Sequence, residues 1–144
     1  MKIMKALYLS TLATMLLAAC AQHTHLLVID RETTYLSGEL VHDQGAGNRL
    51  VLEAPNRRYE ARGFAVERGT DLAGLRKQYY TVEPRHWERI TAGLDGDHSY
   101  YSAQVAVRSN DGGEISCRLN WAATTKPAGI CTDQGGKALP VRFE

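Results

Sequence analysis

No stretch of this 144-residue chain is apolar for long enough to cross a bilayer as a helix, which takes about 20 residues. The longest candidate, Ala6 to Ala18, covers only 13. Charge of one sign is missing too, with 17 Lys and Arg against 16 Asp and Glu. That balance argues against a nucleic-acid partner, because phosphate binding needs a dense basic face. There are three cysteines, with no second Cys pair at short spacing and no His-x₃-His, so the usual zinc ligand patterns are absent. Ser37, Ser99, Ser102, Ser109 and Ser116 lie in strand or turn contexts, and none sits in a Gly-x-Ser-x-Gly elbow. Helical periodicity is scarce. These absences exclude a helical membrane protein and leave no familiar catalytic set.

What is present begins at the amino terminus. Lys2 and Lys5 form a positive end, an apolar stretch follows, and small residues precede a cysteine in Leu17-Ala18-Ala19-Cys20. This is the build of a secretion signal. The tetrapeptide resembles the lipobox of bacterial lipoproteins. The resemblance implies that residues 1–19 are cleaved, that the Cys20 thiol takes a diacylglyceryl group, and that the new amino terminus is acylated. Each buried CH₂ contributes about 0.8 kcal/mol to such an anchor, and two chains or signals suffice for stable attachment. In diderm lipoproteins the residue after the cysteine sorts the protein, and Ala21 looks like an outer-membrane address, with the domain facing the periplasm. Residues 20–25 are expected to be the lipidated end and a short polar tether, and 26–144 a single β-domain.

The mature chain keeps 125 residues, enough for one core. Loss of Lys2 and Lys5 leaves 15 cations against 16 acids, a net charge of −1. With Cys20 lipidated, Cys117 and Cys131 remain in an oxidising compartment and are expected to pair. Closing a loop of this length removes about 3 kcal/mol of unfolded-state freedom. Arg57, Arg58, Arg62 and Arg68 alternate with Glu53, Glu60 and Glu67, which reads as a solvated mixed-charge face rather than an anion site.

Period-two patterning predicts an all-β fold. Tyr101 to Val107 and Ile115 to Trp121 each alternate apolar and polar residues around Ser109-Asn110-Asp111-Gly112-Gly113, a β-hairpin signature. Ile130 to Thr132 and Ala138 to Phe143 continue it as a meander. Earlier strands are expected at Leu26 to Ile29, Thr33 to Leu40, Arg49 to Glu53 and Tyr59 to Glu67, the last bent near Gly63. One short helix fits Asp71 to Tyr79, and Pro84 to Ile90 suits a helical turn. The sum is a small antiparallel β-barrel or sandwich of about seven or eight strands.

Candidate chemistry is sparse. Asp95-Gly96-Asp97-His98 puts two carboxylates and an imidazole on one turn, but Asp95 and Asp97 are equally natural turn formers and the later Glu of a calcium loop is missing. His23 and His25 point the same way if the chain is extended, yet two ligands do not make a metal site. His42 neighbours Asp43, and His86-Trp87, Tyr79-Tyr80 and Tyr100-Tyr101 form an aromatic-rich middle region suited to core and rim packing, or to stacking on sugar or peptide. The build is similar to that of lysozyme-inhibiting lipoproteins, but their Ser-Gly-x-x-Tyr type of inhibitory loop is absent, so no functional residue carries over. The expectation is a non-enzymatic envelope lipoprotein without metal or cofactor, held to the membrane by its lipid and binding an envelope protein or glycan. The alternatives are an inhibitor of a cell-wall hydrolase, and a metal-handling or enzymatic protein using His42, His86, His98 or Asp97.

Overall fold

The computed structural model describes residues 22–43, 45–94 and 99–144. The segment read as a secretion signal, Cys20 and the Asp95-Gly96-Asp97-His98 tetrad lie outside them. The described chain is mostly β, as its alternation predicts. Its strands are β1 (Gln22–Leu26), β2 (Ser37–Asp43), β3 (Arg49–Ala54), β4 (Arg57–Arg62), β5 (Glu67–Gly69), β6 (Tyr100–Arg108), β7 (Glu114–Trp121), β8 (Ala128–Asp133) and β9 (Ala138–Arg142). Two helices, α1 (Leu72–Val82) and α2 (Trp87–Ile90), fall between β5 and β6. All nine strands pair antiparallel in one sheet of order β1-β2-β3-β4-β6-β7-β8-β9, with β5 beside the start of β6.

The sheet curls into a half-barrel until its outer members touch. Leu26 and Glu144 exchange backbone hydrogen bonds of 3.0 and 2.9 Å, and the Val28 amide donates to the Arg142 carbonyl at 2.8 Å. Asp30 and Arg142 clamp the same seam at 2.8 Å. A single curled sheet with this seam decides between the barrel and the sandwich in favour of barrel-like closure.

Three differences from the sequence reading have local causes. Residues 22–25, read as tether, are the body of β1, because pairing with β2 in the register His23 to His42 and His25 to Leu40 gives their backbone groups partners. The strand expected from Tyr59 to Glu67 is split into β4 and β5 at Gly63, whose φ of +67° turns the chain where other residues would be strained. β2 starts only at Ser37, because the Asp30 carboxylate accepts from the amides of Glu32 and Thr33 and holds a turn ahead of it. The helix at Asp71 forms with Asp71 as its cap, accepting from the Gly74 amide at 2.8 Å, and runs on to Val82. The turn expected after Pro84 appears as α2.

Inward side chains stack in layers set by the register. Leu40 faces Leu50, and Leu52 faces Tyr59 across β2 to β4, while Ala103, Val105 and Val107 face Leu119, Cys117 and Ile115 across β6 and β7. Leu40, Leu50, Leu52, Val107 and Leu119 are fully buried. Cys117 and Cys131 sit directly opposite each other on β7 and β8 and form the expected disulfide, with 4.0 Å between their Cα atoms. A second core lies on the sheet's other face, where Leu75 and Tyr79 of α1 and Ile90 of α2 cover Ala128 and Ile130. The Tyr79 hydroxyl donates to the Arg118 carbonyl at 3.1 Å, and the Asn120 amide to the Ile90 carbonyl at 3.3 Å, so one strand pins both helices.

Candidate binding cleft

The inward layers change character at one end of the half-barrel. β1 begins there, β2 ends, β6 begins and β7 ends, so His23, His42, Tyr101 and Trp121 meet around a cleft of about 700 Å³. His25, one layer deeper, lies opposite Leu40. Asn48 and Val66 complete one wall, and Ala122 to Lys126, leading from β7 to β8, complete the other. Tyr101 and Trp121 are register partners, with ring centroids 6.0 Å apart. Trp121 lies 4.8 Å from the His42 ring, and His42 stands 5.6 Å from His25.

The protonation of this cleft follows from its surroundings. Burial holds His42 below the ordinary imidazole value of 6.5, although its bond to Asn48 works in the other direction and His23 adds repulsion. Burial does the same to His25, with further repulsion from His42, Lys126 and His23. Both rings are therefore neutral at pH 7, and a neutral imidazole has one donor nitrogen and one acceptor. Asn48 settles which is which in His42. Its amide nitrogen donates to the Phe64 carbonyl at 2.9 Å, so its oxygen faces His42 Nδ1 at 3.2 Å and requires a proton there. His42 Nε2 is then the acceptor. It and His25 Nδ1 are screened from solvent and have no hydrogen-bond partner among the described residues.

Among the described residues no Asp or Glu lines the cleft, and Lys126 supplies its one lysine. The arrangement is a ring-lined recess, with no carboxylate among its described lining residues and with neutral imidazoles behind an indole. It offers the stacking faces of Trp121 and Tyr101, with the polar side chains of His23 and Lys126 on its walls. Among the described residues no three His, Cys, Asp or Glu side chains are grouped to hold a metal ion.

The other residues singled out by sequence lie elsewhere. Asp43 does not pair with His42: its carboxylate turns away to accept from the Gly45 and Ala46 amides at 2.7 and 2.9 Å. His86 is set among ionic groups, 3.7 Å from Glu32 and 3.9 Å from Glu83, and Arg89 also bonds Glu32, tying α2 to the loop after β1. Tyr79 is buried under α1, Tyr80 stacks edge-on against Trp87 at 5.9 Å, and Tyr100 closes over Gly69. Of the aromatic doublets only Tyr101 reaches the cleft. Arg57, Arg58 and Arg62 pair with Asp111, Glu53 and Glu60, the mixed-charge face expected. Trp121, Asn48 and Lys126 were not recognised as site residues. Trp121 reads as one more apolar position of its strand, and its place as the last residue of β7, at the rim, was the available signal.

No family model matches the chain, and neither the curated proteins nor the solved structures provide a match.

Proposed function

We propose that this chain is a non-enzymatic lipoprotein of the bacterial outer membrane, anchored through Cys20, and that its half-barrel binds a glycan of the envelope in the Trp121 cleft. The observation that carries the reading is the pairing of Trp121 and Tyr101 along a cleft backed by neutral His25 and His42. Sugar rings present apolar faces that stack on aromatic rings, and their hydroxyls find polar partners in His23 and Lys126 on the cleft walls. The volume, about 700 Å³, lies within the roughly 300–1,000 Å³ common for small-ligand sites.

The test is titration of the Cys20→Ser domain with cell-wall and envelope oligosaccharides, read by amide and indole chemical shifts. Binding should move the Trp121 indole resonance and leave Trp87 in place. Trp121→Ala should weaken binding about tenfold, the effect of losing one good stacking contact, and Tyr101→Ala at the rim gives the same reading if the first variant unfolds. Shifts confined to the α1 and α2 surface would refute the cleft. Suppression of lysozyme at equal molar ratio, with no saccharide bound, would favour the hydrolase-inhibitor alternative instead.

A further inference from the structure

The position of the cleft relative to the chain's entry narrows the ligand. Gln22 is the first residue of β1, and β1 enters at the end of the half-barrel where the cleft opens. His23, the next residue, is itself part of the cleft wall. Cys20 precedes Gln22 by two positions, and two residues of fully extended chain span at most about 7 Å. A lipid on Cys20 therefore holds this mouth, rather than the opposite, filled end, against the headgroup layer.

The residues at the mouth suit that setting. Trp and Tyr favour the membrane interface, where one edge of the ring is apolar and the other wet, and Trp121 and Tyr101 are the aromatic pair here. Among the described residues the lining carries Lys126 and no carboxylate, which suits an anionic headgroup region. A soluble saccharide would have to enter a mouth directed at the bilayer. A saccharide carried on a lipid in the same membrane is already there.

We infer that the cleft takes the saccharide headgroup of a membrane glycolipid, presented from the bilayer in which the protein is anchored. This rests on the anchored, glycan-binding reading above and adds the source and direction of the ligand. The short connection between Cys20 and β1 then has a functional role: it keeps the local concentration of headgroups at the mouth high.

The experiment compares the lipidated full chain with a variant carrying a 20-residue Gly/Ser spacer between Ala21 and Gln22, whose root-mean-square reach is about 25 Å. Both are reconstituted in vesicles of phosphatidylethanolamine and phosphatidylglycerol, with or without a lipid-linked N-acetylglucosamine disaccharide. Occupancy is read from Trp121 fluorescence, and the free disaccharide is titrated in parallel against both proteins. The expected result is that the native connection gives occupancy by the embedded glycolipid at least about tenfold more readily than the spacer variant, while free disaccharide binds the spacer variant at least as readily as the native protein. The spacer leaves the folded domain untouched, so a folding defect cannot imitate this result. Equal occupancy by the embedded glycolipid with and without the spacer, alongside normal binding of free sugar, would overturn the inference and leave the glycan reading standing. Failure of both proteins to bind sugar in any form would overturn both readings.

Discussion

The two ends of this half-barrel are built on the same alternation and reach opposite outcomes. At the filled end, inward positions are Leu40, Leu50, Leu52, Val107 and Leu119, all fully buried and in contact across the register. At the mouth the same faces of β2, β6 and β7 carry His42, Tyr101 and Trp121, β1 adds His23 and His25, and the space between them stays open as a cleft. Period two governs which side a residue faces, while residue type governs whether that side is packed shut. Aliphatic side chains interdigitate to native density without directional demands. Imidazoles and indoles keep polar nitrogens that need partners, and two of these remain without one among the described residues. The filled end supplies stability, and the mouth gives up close packing for an open, ring-lined space.

The contrast predicts a graded set of effects. Leu119→Ala, in a fully buried layer, should cost about 3–4 kcal/mol in urea unfolding, whereas Tyr101→Ala, partly exposed at the mouth, should cost about 1 kcal/mol. Equal costs would mean that the mouth is core. Reducing the Cys117–Cys131 bridge, or replacing both residues by Ser, should remove about 3 kcal/mol and lower the melting midpoint by roughly 10 °C. Calorimetry with and without reductant decides this, and coincident melts would show a bridge of no energetic consequence. Gly129→Ala should cost about 1–3 kcal/mol in the same unfolding assay, because an added Cβ would stand 1.9 Å from the Arg118 carbonyl oxygen, a backbone atom that cannot swing aside. A neutral effect would mean that β7 and β8 can separate locally, contrary to the pairing described.

The smallest effect expected is a dependence on pH confined to the mouth. His25 and His42 have folded pKa values below the ordinary 6.5, chiefly because burial disfavours their charged forms. The unfolded chain therefore takes up protons before the folded one, so the stability they contribute is complete above about pH 6.5 and falls as pH drops toward the depressed values. Stability curves from pH 7.5 to 5 should show this decline, and the His25→Gln/His42→Gln double variant should flatten it. Asp30, whose carboxyl is held low first by its bond to Arg142, acts at a lower pH. Its contribution is present above its ordinary value of 3.8 and is lost as pH falls further. A decline that survives in the double variant would assign the effect to groups outside the cleft.

Much of the architecture was legible because it depends on local pattern. Tyr101 to Val107, the Ser109 to Gly113 turn and Ile115 to Trp121 announced the β6–β7 hairpin, and the bend at Gly63 was visible as a change of face. The cleft was much less legible. His23 and His25 alternate in the sequence, but their meeting with His42 depends on the β1–β2 register, which no local feature specifies because the connecting segment is long and irregular. Reading residues 22–25 as a polar tether follows from their composition; they become a strand because β2 offers an unpaired edge. Trp121 looked like core because position within a strand says which face a residue takes, and gives no information on how far along the barrel axis packing continues.

Residue order alone was enough for the antiparallel β class, the β6–β7 hairpin, the short helix after Thr70 and the pairing of two cysteines, since each needs only near neighbours or composition. The curl into a half-barrel, the seam between Leu26 and Glu144, the place of α1 and α2 over β7 and β8, and the gathering of His23, His25, His42, Tyr101 and Trp121 came from folding. These depend on strand register, twist and the burial of both sheet faces at once. Such long-range contacts are chosen by the packing of the whole chain, and no short stretch of it contains them.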